Sequence, residues 1–182
     1  AQGAMDEAGR YRALLAERSA ALAARGQTAE SAAEGRDFLV CAVGAERFGI
    51  ALAAVATVLP ERPCTRLPGA PAALRGIIAH AGIIVSVIDL AAALGIGRDG
   101  EMAEPGHFLR LRSEGPPLAL AVDRVIGVAV VEAEAVTASP TAGTPVGLGA
   151  EAVSGYAPAG SERDGFAIVD LPESLSPTSA MV

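Results

Sequence analysis

Residues 66–90 read Arg-Leu-Pro-Gly-Ala-Pro-Ala-Ala-Leu-Arg-Gly-Ile-Ile-Ala-His-Ala-Gly-Ile-Ile-Val-Ser-Val-Ile-Asp-Leu. The order is a Pro-braced turn, a short helical turn, an apolar strand, a tight Ala81-Gly82 turn, a second apolar strand and an Asp placed to start a helix. Two apolar strands joined by so short a turn form a β-hairpin. Asp89 stands at the N-cap position of Leu90–Leu94, and Gly95 stops that helix. This is the most constrained local pattern in the chain, and nothing in it is catalytic.

Short strands with Gly-rich turns continue on both sides. Asp37–Val43 and Arg47–Ile50 form a hairpin around Gly44-Ala45-Glu46. Ala51–Val55 reads as a helical turn, and Ala56–Leu59 as a strand closed by Pro60. Cys64–Leu67 reads as a short strand. Downstream, His107–Arg112, Pro117–Val122, Val125–Val131 (broken by Gly127), Glu151–Tyr156 and Gly165–Val169 read as strands, and Asp170 opens a second short helix containing Pro172. Stretch 97–106, dense in Gly, Pro and charge, is read as the junction of two lobes. An internal echo supports a duplicated unit: Gly76, a hairpin and Val-Ile-Asp-Leu at 87–90 recur as Gly155, a turn and Ile-Val-Asp-Leu at 168–171. Strands of this length and spacing predict an all-β chain with short helices, built of two small barrels.

Ahead of the strands, Asp6–Arg25 shows a helical apolar stripe at Tyr11, Leu14, Leu15 and Leu22, with Gly26 as its stop and a small, polar linker to Gly35. Such a helix covers part of the domain, pairs with a partner helix, or stands free. Ala1–Ala4 read as a cloning remnant before Met5, and residues 177–182 as a frayed tail.

The chain has 182 residues, half of them apolar, and a net charge of −7, which disfavours a nucleic-acid partner. No apolar run approaches the roughly 20 residues that cross a bilayer, and no secretory signal pattern opens the chain, so a cytoplasmic protein without membrane insertion is expected. All 14 basic residues are Arg, which fits a GC-rich coding sequence. Cys41 and Cys64 lie in apolar stretches without CxxC spacing and read as small buried hydrophobes rather than as a disulfide or metal site. His80 and His107 stand 27 residues apart with no ligand-spaced carboxylate or thiol, so no metal and no cofactor is expected. Asp89 and Asp170 are better explained as N-caps than as an acid–base pair, and Asp123 as a turn or ion-pair residue. No nucleophile elbow, dinucleotide fingerprint or P-loop is present; Gly147-Leu148-Gly149 and Gly95-Ile96-Gly97 are too short to cradle phosphate. A chain of this size with no convergent polar cluster reads as a binding module, not an enzyme.

Phe-Leu-Val-x-x-Val-Gly-x-Glu-x-Phe-Gly-Ile at 38–50, Thr-Arg-Leu-Pro-Gly-Ala-Pro at 65–71, Arg-Gly-Ile-Ile at 75–78, Gly-x-Ile-Val-x-Val-Ile-Asp-Leu at 82–90, Leu-Ala-Val-Asp-Arg-Val at 120–125, Gly147-Leu148-Gly149 and Ile-Val-Asp-Leu at 168–171 together resemble the CheW-like chemotaxis coupling domain over about 37–176. The resemblance implies two five-stranded SH3-like β-barrels, no enzymatic activity, and a scaffold linking chemoreceptor cytoplasmic tips to the regulatory domain of a CheA-type histidine kinase. By position it implies a kinase-contacting surface at Cys64, Thr65, Arg66, Arg75 and Gly76. The implied receptor groove falls near Val55, Thr57, Val58, Ala81, Gly82 and Ile83. A shallow apolar groove taking a helical hairpin is an ordinary recognition mode. Two positions depart together from the family pattern. The usual Asn-Leu-Arg-Gly turn is here Ala79-His80-Ala81-Gly82, and a frequent acid is here Thr57. Losing both charges of a groove ion pair leaves neither stranded. A coupler that binds kinase but not receptor, and a small-ligand-binding barrel with an enclosed cavity, are the competing readings.

Overall fold

The computed structural model describes residues 35–97, 106–139 and 152–171. The expected helix Asp6–Arg25 with its linker and the residues before it, the centre of the 97–106 loop, Gly147–Gly149, the helix after Asp170 and the tail lie outside these residues. The chain divides at Arg36 into two units, and the architecture below is that of the second.

Among the described residues, eleven strands and one α-helix follow in order: β1 (Gly35–Val43), β2 (Glu46–Ala51), β3 (Val55–Pro60), β4 (Leu74–His80), β5 (Ile83–Asp89), α1 (Leu90–Leu94), β6 (His107–Leu111), β7 (Leu118–Val122), β8 (Arg124–Glu132), β9 (Thr137–Ala138), β10 (Val153–Ala157) and β11 (Phe166–Val169). Single 3₁₀ turns precede β3 and follow β8. The strands form a six-stranded sheet, β8-β1-β2-β11-β10-β9, and a five-stranded sheet, β3-β6-β7-β5-β4. Both are open in their ladders, where two closed five-stranded barrels were expected. The five-stranded sheet nonetheless bends until the segment leaving β3 meets β4. There Thr65 and Ile77 exchange two backbone hydrogen bonds of 2.9 Å. The short strand expected at Cys64–Leu67 is thus a single bridge.

The chain changes sheets at the 3₁₀ turn Leu52–Ala54 and again at Asp123, not at 97–106. β5 pairs in parallel with β7, and a parallel pair needs a long crossover. Helix α1, the 97–106 stretch and β6 supply it, so that composition marks a connection inside one sheet. Gly127 does not break β8, which runs on past it to Glu132.

Burial on both faces explains the near-continuous apolar strands. In β7, Leu118, Leu120 and Val122 enter a core shared by the two sheets, while Ala119 and Ala121 face a smaller one inside the five-stranded sheet. In β11, Ala167 and Val169 face the shared core. Phe166 and Ile168 pack with Phe38 and Val40 inside the six-stranded sheet, where the Phe38 and Phe166 rings meet edge to face at 5.9 Å.

The internal echo is structural. β4–β5 and β10–β11 are antiparallel pairs with register irregularities at Leu74/Gly76 and Val153/Gly155. A Cβ on Gly76 would stand 2.3 Å from the Thr65 carbonyl oxygen, and one on Gly155 2.8 Å from that of Thr137. Thr65 pairs with Ile77 as Thr137 pairs with Tyr156, one residue past each glycine. The second strand of each unit then runs parallel to another strand, β5 to β7 and β11 to β2.

Candidate functional site

The exposed end of the five-stranded sheet is the β4–β5 hairpin. Its two turn residues both have positive φ, 48° at Ala81 and 78° at Gly82, the signature of a type I′ turn. That turn matches strand twist, but it holds an alanine in the left-handed region, at a cost of roughly 1–2 kcal/mol. β7 begins opposite Ser86, so the hairpin end from Ala79 to Val85 extends past it. Ile84 is 58 % exposed and Ile83 40 %; Val58 on β3 and Leu67 beside the bridge are exposed to a similar degree. Arg62 approaches the hairpin, with Nη2 3.2 Å from Nδ1 of His80.

Behind this surface lies an ion-pair network. Arg75 donates from Nε to Asp89 Oδ2 at 2.9 Å and from Nη1 to Glu61 Oε1 at 2.7 Å. Glu61 Oε2 accepts from the Gly106 amide at 2.6 Å, and Asp89 Oδ1 caps α1 by accepting from the Ala92 amide at 3.2 Å. One guanidinium therefore ties the exit of β3, the start of β4 and the end of β5. Burial works against the Arg75 charge, but the hydrogen bond and charge of Asp89 and the charge of Glu61 outweigh it and raise its pKa above the ordinary guanidinium range.

The sequence-predicted residues sort unevenly. Thr65 and Arg66 are exposed and Cys64 half-buried. Arg75 is largely covered and engaged within the chain, and Gly76 is buried, with φ of 143° and its backbone against Thr65. The five do form one neighbourhood, joined by the Thr65–Ile77 bridge. In the second set, Val55 is buried at 7 % in the shared core, which removes it as a surface contact. Thr57, Val58, Ala81, Gly82 and Ile83 are exposed. Thr57 lies directly across from Arg110. Sequence reasoning missed Glu61 and Ile84: Glu61 stood in a loop with no local signal, whereas Ile84 follows from alternation with buried Val85.

The remaining candidates take structural roles. Asp89 is the N-cap expected, and Gly95 ends α1 in the left-handed region. Asp123 accepts from the Gly44 amide through Oδ2 at 2.6 Å, pinning the β1–β2 turn. Cys41 and Cys64 are both free thiols. Burial pushes the Cys41 thiol up to about 12 and raises that of Cys64, where Arg75 partly opposes it. Among the described residues no group of His, Cys, Asp or Glu could hold a metal ion, and no helix is long and apolar enough to cross a membrane. Among the described residues, one groove lies between β8 and residues 162–164, and a shallower one at Arg110–Glu114 is open to solvent.

Comparison with known proteins agrees with this architecture. Among curated proteins there is no match. The scaffolding protein TtCheW from Thermoanaerobacter tengcongensis is similar in structure, with a TM-score of 0.64 at 25% identity over 76% of this chain and 90% of that one. The model of the CheW-like domain matches residues 37–174, from the start of β1 past β11. The chain therefore belongs to the CheW-like domain family, a family of non-enzymatic scaffold proteins.

Proposed function

We propose that this protein is a scaffold of a chemosensory signalling pathway that couples chemoreceptors to a CheA-type histidine kinase on the cytoplasmic side. The observation that supports it most is the apolar surface left exposed on and beside the five-stranded sheet: Ile83 and Ile84 next to the Ala81-Gly82 turn, Val58 on β3 and Leu67 beside the Thr65 bridge. Apolar surface around a fixed turn suits a macromolecular partner better than a substrate. In this reading the kinase regulatory domain contacts Cys64, Thr65 and Arg66, with Arg75 and Gly76 holding that segment in place. The receptor tip lies against Thr57, Val58 and the Ala81–Ile84 end of the hairpin. Thr57 and Ala81 offer the receptor no charge, so its contact is apolar, or the protein couples to kinase alone.

Titration calorimetry of the full chain against a CheA-type regulatory domain tests the first contact. Arg66→Glu is expected to weaken binding about tenfold or more while leaving the melting temperature unchanged. Equal heats and affinity for wild type and variant would remove the assignment. Co-sedimentation with receptor arrays tests the second, where Ile84→Asp separates the two forms of the proposal: loss of sedimentation supports receptor coupling, and absence of sedimentation by the wild type supports a kinase-only scaffold.

A further inference from the structure

We propose that β8 is a self-association edge at which two copies of this chain pair antiparallel about a two-fold axis through Val128. Four strands bound the two sheets among the described residues, and three are blunted. β3 carries a bulge at Val55/Thr57 and ends in Pro60; β4 is met by the Thr65 bridge; β9 is two residues long. Short edges, prolines and bulges are the ordinary devices against strand addition. β8 has none of them. It runs nine residues, Arg124–Glu132, with β1 on one side and, among the described residues, no strand on the other.

The outward row of β8 is Arg124, Ile126, Val128, Val130 and Glu132, with Ile126 45 %, Val128 57 % and Val130 55 % exposed. Read from either end, the row is complementary to itself. Antiparallel pairing centred on Val128 sets Arg124 opposite Glu132, Ile126 opposite Val130, and Val128 opposite its own copy, with each hetero pair made twice. Opposite charges and β-branched residues directly across are the favourable cross-strand pairs. An isologous two-fold contact is the commonest way such a patch closes. A strand from an unrelated partner would have no need of this symmetry, which is why a second copy is the occupant chosen. The proposal does not depend on the kinase or receptor contacts above, which lie on the other sheet.

The test is sedimentation equilibrium of the full chain over a wide concentration range at low salt, with thermal melts to confirm that each variant folds. A monomer–dimer equilibrium is expected. Arg124→Glu and Glu132→Arg should each weaken it about tenfold, since each sets like charges across the axis twice. The double swap should return affinity to within about threefold of wild type. Val128→Arg should abolish the dimer. A chain that stays monomeric throughout, a dimer indifferent to Val128→Arg, or a double swap that fails to rescue the single variants would each overturn the proposal.

Discussion

Replacing Arg75 with Ala is expected to destabilise the fold before it reports on any partner. Arg75, Glu61 and Asp89 have side chains 21 %, 28 % and 11 % exposed, so the two carboxylates lie largely out of water. Removing the guanidinium loses two charge-assisted hydrogen bonds, each worth about 1.5–3 kcal/mol. Stranding a fully buried partner costs about 3–5 kcal/mol, but residual exposure and the Gly106 and Ala92 amides soften that here. The expected loss is therefore about 2–4 kcal/mol, or a fall in Tm of roughly 5–15 °C for a domain of this size. Arg75→Lys should recover less than half, because an ammonium cannot span both carboxylates with a planar fork. Urea denaturation of wild type, Arg75→Ala, Glu61→Gln and the double variant gives the coupling energy directly. A loss under about 1 kcal/mol for Arg75→Ala, or additive single variants, would refute the view that this guanidinium ties three strand ends together. Any kinase-binding defect of an Arg75 variant must be read against this destabilisation, which is why Arg66 is the better probe.

Gly76→Ala should cost about 2–4 kcal/mol in chemical denaturation, since φ is 143° and the new methyl would meet the Thr65 carbonyl oxygen. Gly115→Ala, which meets nothing within 4 Å, is the tolerated control. Ala81→Asn should raise the urea midpoint by roughly 0.5–1 kcal/mol of stability, because asparagine accepts the left-handed φ that alanine resists. Cys41 is protonated in the fold up to about 12 against an ordinary 9.0, so its contribution is whole below pH 9 and is lost as pH rises through that window. The span sets an upper bound of about 4 kcal/mol, and Cys41→Ala should flatten the alkaline limb of a Tm–pH profile; an unchanged limb would refute it.

The features legible in the sequence were those fixed by local backbone chemistry. The Ala81-Gly82 turn, the Asp89 cap and the Gly95 stop each depend on a few adjacent residues, and all three are observed. Strands alternating around the hairpins were equally plain. Features set by partners far along the chain were not. Nothing near Glu61 announces Arg75, 14 residues on, or the Gly106 amide 45 residues away. Val55, read as the end of a helical turn, was placed in the receptor groove by the resemblance alone, and the shared core it enters depends on partners far along the chain. The sheet crossings at Leu52–Ala54 and Asp123 lacked the Gly and Pro content that drew attention to 97–106, since a strand can change sheets through a single turn.

The duplicated frame bears on where function resides. Both units place a glycine against a threonine carbonyl and send the following strand into a parallel pair. These shared features are the ones a substitution would break by steric overlap, and they assign no partner. What differs is the tip. In the first unit two residues turn the chain and leave isoleucines in solvent. In the second, residues 158–165 make a longer connection in which Arg47 pairs with Asp164, and Arg163 lies over the Phe166 ring at 5.4 Å. The longer tip reaches Arg47 of β2 and the Phe166 ring of β11; the shorter one leaves its apolar side chains uncovered. In the function proposed above, then, recognition by the hairpin units falls to the first tip. Exchanging residues 79–84 for a polar turn of equal length should abolish partner binding while leaving stability within about 1 kcal/mol of wild type, because Ile83 and Ile84 bury little that the fold depends on.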